Sequence, residues 1–159
     1  MLYPKTHNLS SILSIDTSIT SLNIPDWTYT DIQDSILEFS QFTNVESIEI
    51  GNNCFGSVQS FRIEGLNRLK SIKIGNNSFT QKKNEGGRTD IIKSFHILNC
   101  ESLESIQIGE YSFRDFGGDF ELKNLPQLQS IQIGTVGSKS DNFYYSSFVI
   151  RGIELKLDI

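Results

Sequence analysis

The most regular feature of the chain is an alternation of apolar and polar residues that returns four times in nearly one form. The copies are Ser47-Ile48-Glu49-Ile50-Gly51-Asn52-Asn53-Cys54-Phe55, Ser71-Ile72-Lys73-Ile74-Gly75-Asn76-Asn77-Ser78-Phe79, Ser105-Ile106-Gln107-Ile108-Gly109-Glu110-Tyr111-Ser112-Phe113 and Ser130-Ile131-Gln132-Ile133-Gly134-Thr135. Successive side chains of a strand face opposite ways, so each copy predicts a short strand with two inward isoleucines. The inward rows are Ile48, Ile72, Ile106 and Ile131, then Ile50, Ile74, Ile108 and Ile133; Glu49, Lys73, Gln107 and Gln132 form an outward ladder. Ser47, Ser71, Ser105 and Ser130 make a second outward row, preceded by Glu46, Lys70, Glu104 and Gln129. Charges alternate in sign at Glu49 and Lys73 and at Glu46, Lys70 and Glu104, and opposite charges on neighbouring strands add about 0.2–1 kcal/mol per pair.

A second alternation lies between these copies. Phe61/Ile63, Phe95/Ile97, Phe120/Leu122 and Phe148/Ile150 face one way, and Arg62, His96, Glu121 and Val149 the other. It predicts a second parallel strand in each unit, a helical or irregular outer face being the alternative. Each second-motif Phe precedes the next strand-ending Gly by 14 residues in all three cases, whereas the return from Gly to Phe takes 10, 20, 11 and 14 residues. One half of the unit is therefore rigid and insertions gather on the other, as in a solenoid whose units touch only their neighbours. The predicted architecture is mainly β, a solenoid of short parallel strands with few or no long helices.

Composition agrees with strands and turns. The 159 residues include no alanine, the best helix former, and 37% hydrophobic residues suffice for one core. Residues 1–159 read as one domain, with 1–41 a divergent N-terminal repeat or cap, 42–153 the repeats, and a C-terminal edge without a polar cap. Ser18 to Pro25 resembles a divergent strand, and Ile32 to Phe42 carries apolar residues near helical spacing that suit a cap. A net charge of −5 and pI near 5.0 disfavour nucleic acid or anionic membrane as partner. No stretch approaches the roughly 20 apolar residues of a membrane span, so no direct membrane insertion is expected. The N-terminus lacks the apolar run of an export signal, and a cytoplasmic location is slightly favoured.

Leu66-x-x-Leu69-x-x-Ile72-x-Ile74-x-x-Asn77-x-Phe79 carries the pattern in full, with parallel copies starting at Phe42, Cys100 and Leu125. On these residues the chain is similar to the leucine-rich repeat family, and more narrowly to protist repeats built on S-I-x-I-G-x-x-S-F, akin to the BspA-like group. The resemblance covers roughly residues 36–153. It implies binding of a protein or carbohydrate partner on the outward strand face, no catalytic residues and no cofactor. It further implies that the Asn53 and Asn77 side chains bond backbone groups of adjacent turns. Tyr111 stands in that slot, and Val136 and Ser138 replace both Asn and Phe, so the repeat decays toward the C-terminus and irregularity is expected there.

Candidate chemistry is sparse. His7 and His96 lie in unrelated contexts, without partners at metal-ligand spacing. Cys54 and Cys100 fall in inward slots and read as buried thiols rather than a disulfide. Arg114 to Phe120 lacks the alternating ligands of a calcium loop and reads as a turn. Asn8-Leu9-Ser10 and Asn76-Asn77-Ser78 match the glycosylation sequon, which matters only on export. The insertion Gln81–Asp90 has no phosphate-loop spacing and reads as a mobile, basic contact loop. The candidate partner-binding residues are accordingly Glu49, Lys73, Gln107, Gln132, Lys70 and Arg88. The expected role is a non-catalytic interaction module, with a structural spacer in a larger cell-surface or scaffold protein as the alternative.

Overall fold

The computed structural model describes residues 15–29, 36–81, 91–135, 137, 140–144 and 146–153. Ten strands alternate between two sheets along the chain: β1 (Ser21–Ile24), β2 (Ile36–Glu38), β3 (Ser47–Ile50), β4 (Ser60–Glu64), β5 (Ser71–Ile74), β6 (Ser94–Leu98), β7 (Ser105–Ile108), β8 (Asp119–Lys123), β9 (Ser130–Ile133) and β10 (Ser147–Arg151). Every pairing is parallel, in the orders β1-β3-β5-β7-β9 and β10-β8-β6-β4-β2. One strand from each sheet makes a coil, and the coils stack into a β-solenoid with no helix among the described residues. A strand thus lies on both faces of the unit, as the second alternation predicts.

The register is that of the sequence repeat. Ile48, Ile72, Ile106 and Ile131 occupy successive rungs, as do Phe61, Phe95, Phe120 and Phe148. Between the sheets these rows form one core, in which Ile48, Phe61, Phe95, Leu103 and Leu122 are fully buried. The Leu-x-x-Leu spacing corresponds to a tight turn: Leu69 donates its amide to the Leu66 carbonyl at 3.1 Å, and Leu128 to Leu125 at the same distance. That turn buries both apolar ends while closing its own backbone bond. The glycines that follow β3, β5 and β7 answer to space. A Cβ on Gly75 would sit 2.7 Å from both Asn52 Oδ1 and the Gly51 carbonyl carbon of the preceding coil.

Three expectations change. Ile36–Glu38 is a strand rather than part of a helical cap, because Leu37 pairs with Phe61 and is buried in the same row; residues 30–35 lie outside the described ones. The inter-coil asparagine ladder uses the first Asn of each pair: Asn76 donates its amide to Asn52 Oδ1 at 2.7 Å, and Glu110 to Asn76 Oδ1 at 2.9 Å. Asn53 and Asn77 instead adopt left-handed backbone, with φ of 58° and 55°, which Asn tolerates better than most residues. The decay expected at Val136 and Ser138 falls outside the described residues, but the motif returns beyond them. Asp141 and Phe143 take up the left-handed positions of Tyr111 and Phe113, and Phe143 stacks on Phe113 at 4.9 Å. Extra residues after Gly134 displace the motif along the sequence without removing it.

Inward direction does not always mean burial. Ile131 is 41% exposed, and Phe148 and Ile150 are each 54% exposed, because β9 and β10 are the last strands of their sheets and no further coil covers them among the described residues.

Candidate functional site

The outward row of the first sheet consists of Asn23, Glu49, Lys73, Gln107 and Gln132, one from each strand and all exposed. The pairing aligns Asn23 with Glu49, Glu49 with Lys73, Lys73 with Gln107 and Gln107 with Gln132. The predicted outward ladder is therefore a single continuous column, fixed by the buried isoleucines on either side of each member. Beside it runs the serine row, where Ser47 Oγ donates to Ser21 Oγ at 2.9 Å.

The charges on this face do not all pair as expected. Lys70 Nζ lies 2.8 Å from Glu46 Oε2 and Arg68 3.2 Å from Glu46 Oε1. The hydrogen bond from Lys70, then that from Arg68, holds the Glu46 carboxyl below its ordinary range, and Glu46 in turn raises Lys70. Lys70, one of the candidates, is thus engaged within the face. Glu49 and Lys73 are register partners but form no ion pair, and neither does Lys70 with Glu104. Outward side chains this exposed gain little from pairing across a rung. Gln132 Nε2 donates to the Gly134 carbonyl at 3.3 Å.

The second sheet presents a contrasting face. Arg62 pairs with Glu64, His96 Nδ1 lies 3.3 Å from Glu121 Oε2, Asn99 Nδ2 donates to Glu64 Oε1 at 3.1 Å, and Asn124 Nδ2 to Asn99 Oδ1 at 2.7 Å. Arg62, Glu64, His96, Asn99, Glu121 and Asn124 are thus engaged with one another, whereas among the described residues Glu49, Lys73 and Gln107 have no side-chain partner.

Arg88 and the rest of the insertion through Asp90 lie outside the described residues, except for exposed Gln81. At the far edge of that insertion, Lys93 is buried, pairs with Asp115 of the next coil, and has its Nζ 5.7 Å from the centre of the Phe116 ring. Sequence reading missed this pair, since a Lys one residue before a Ser-Phe strand carries no signal of burial. Of the Arg114–Phe120 stretch, Arg114 and Asp115 lie in a turn as expected, while Asp119 and Phe120 already belong to β8. Cys54 and Cys100 are free and buried, and burial pushes both thiols above their ordinary range. That leaves neither poised as a nucleophile.

Among the described residues no group of three or more His, Cys, Asp or Glu side chains is placed to hold a metal ion, and no helix is long and apolar enough to cross a membrane. Comparisons with protein-family models, curated proteins and solved structures found no match.

Proposed function

We propose that the protein is a non-catalytic interaction module that binds a macromolecular partner, protein or carbohydrate, across the exposed face of the first sheet. The observation that carries this reading is the contrast between the two faces: among the described residues the column Glu49, Lys73, Gln107, Gln132 is exposed and largely unpartnered, while the middle of the second sheet, at Arg62, Glu64, His96 and Glu121, is engaged in pairs. A rigid grid of this kind costs little conformational entropy on binding, because the strands that hold it are already ordered. The resemblance to leucine-rich repeats supports the same assignment, and within it Lys73 and Gln107 are the central contacts, with Lys70 at the margin.

The test is affinity capture from source-organism extract with quantitative mass spectrometry, comparing the wild-type chain with Lys73→Glu/Gln107→Lys and with Arg62→Gln on the other face. Partners should be retained by Arg62→Gln and lost by the double variant. Equal capture by all three removes the first-sheet face from consideration.

A further inference from the structure

Among the described residues, Lys93 is the one cation taken almost wholly out of water. Its side chain is 2% exposed and pairs with that of Asp115, 16% exposed, in the turn before β8. In every other ion pair among the described residues the basic member is at least 17% exposed. The second oxygen of Asp115, Oδ1, is buried without a hydrogen-bond partner among the described residues, so Lys93 is the group that compensates the carboxylate. Taking two charges out of water costs about what their attraction returns, so such a pair adds little net stability and calls for another account.

The pair links consecutive coils at positions that no other coil shares. Ser94 donates its amide to the Gln59 carbonyl at 3.0 Å and Gly118 to the Lys93 carbonyl at 3.0 Å, which places Gln59, Lys93 and Gly118 in one column with Lys93 as its charge. Asp115 comes two residues after Phe113, where the sequence has Ser57 after Phe55, Gln81 after Phe79 and Tyr145 after Phe143. Gly118 fits the same neighbour, since a Cβ there would lie 2.7 Å from the Ile91 carbonyl oxygen and 2.8 Å from that of Lys93. The coil of β8 is therefore shaped and charged for the coil of β6. The apolar rows make no such distinction, because Phe61, Phe95 and Phe120 are one residue type in one column.

We propose that Lys93 and Asp115 form a register lock, which makes β8 dock on β6 and not on β4 while the solenoid assembles. Docking Phe120 on Phe61 closes 59 residues where docking Phe95 on Phe61 closes 34, the narrowest margin in the second sheet. Closure probability falls so slowly with length that this margin disfavours the error only about twofold. The skipped arrangement keeps every inward row apolar. It also sets Asp115 against residues 56–59, which include no lysine or arginine, and so leaves a carboxylate unpaired. A skipped coil loses its burial once folding is complete, so the error is a trap on the way to the native state and not a rival to it.

The test compares the full chain with Asp115→Leu and with the double variant Lys93→Met/Asp115→Leu. All three carry Ser60→Cys and Asp119→Cys as reporters, in a background of Cys54→Ser and Cys100→Leu, the residues that other coils use in those slots. Ser60 and Asp119, which precede Phe61 and Phe120, are two rungs apart in the native register and come within disulfide reach when β6 is skipped. Oxidant added shortly after dilution from urea, followed by mass mapping, reads the skipped fraction; urea titration under reducing conditions reads stability. The double variant should match the parent's folding constant to within about threefold and form at least about five times more cross-linked product. Asp115→Leu alone, which leaves Lys93 buried and unpaired, should lose at least about a hundredfold in folding constant. Equal cross-linking in parent and double variant overturns the lock. So does a double variant that is far weaker than the parent or fails to fold, because the pair would then hold the coils together instead of choosing between them. Should the cysteine background itself not fold, the refolding kinetics of the chain with its native cysteines decide: a slow phase enlarged by the double variant supports the lock, and an unchanged one overturns it. Neither residue lies on the first-sheet face, so this result and partner capture are independent.

Discussion

At the scale of single residues, the most demanding positions are the paired left-handed ones in each coil. Trp27 and Tyr29, Asn53 and Phe55, Asn77 and Phe79, Tyr111 and Phe113, and Asp141 and Phe143 all have positive φ. From the second pair onward each brackets one residue whose side chain turns back to the preceding coil, whereas Thr28, in the first pair, donates to the Pro25 carbonyl of its own turn. Ser78 Oγ donates to the Gly51 carbonyl at 2.8 Å and accepts the Cys54 amide at 3.1 Å. Ser112 does the same one coil on, with the Gly75 carbonyl at 2.6 Å and the Ser78 amide at 2.9 Å. Asn142 supplies the next step, donating to the Gly109 carbonyl at 2.8 Å. These buried bonds offset the backbone strain of the bracketing residues. Ser78→Ala strands a carbonyl and an amide together and should cost about 1–3 kcal/mol in urea denaturation, whereas Ser78→Cys, which copies the native choice at Cys54, should cost less. Equal costs would mean that the hydroxyl contributes volume alone. The recurring serine was visible in the sequence but its task was not. A Ser-Phe pair after Asn-Asn reads as a turn, and only the three-dimensional offset between coils shows that the serine reaches backward.

Among elements, strands and aromatic rows reinforce each other. Phe55, Phe79, Phe113 and Phe143 stack with ring centres 4.5–5.1 Å apart and planes within 16° of parallel. Phe61, Phe95 and Phe120 form a second stack at 4.9–5.0 Å, and rings of one stack meet the other edge-on, as Phe113 does Phe61 and Phe95. Stacking within a column and edge contact between columns both satisfy the ring quadrupole. Phe113 sits where both kinds of contact converge, with Phe116 as a further neighbour. Phe113→Ala should therefore cost about 3–5 kcal/mol, the range for a buried aromatic truncated to a cavity, with Phe113→Leu recovering part of it. A loss below about 1 kcal/mol would show that the columns collapse around the gap. The strands that carry the second stack were readable from their period of two. Membership of Phe143 in the first stack was not, because extra residues after Gly134 break the fixed offset by which every other member is found. The alternation records which way a side chain points and is blind to a shift in where the next turn begins.

For the molecule as a whole, what matters is that identical local sequences have different energies according to their coil. Ser105-Ile106-Gln107-Ile108 and Ser130-Ile131-Gln132-Ile133 are the same four residues in adjacent, paired strands, and nothing within them distinguishes the second from the first. Ile106 is nevertheless 1% exposed and Ile131 41%, since burial in a solenoid is shared between neighbours and, among the described residues, the coil of Ile131 has only one. Pattern therefore resolves the face of a residue and leaves its burial to the architecture around it. This sets up a comparison in which side chain, strand and column are held constant. In urea denaturation Ile106→Val should cost about 0.5–1.5 kcal/mol, as for a packed core methyl group, and Ile131→Val a few tenths at most. Equal costs would show that the coil of Ile131 is covered as fully as its neighbour.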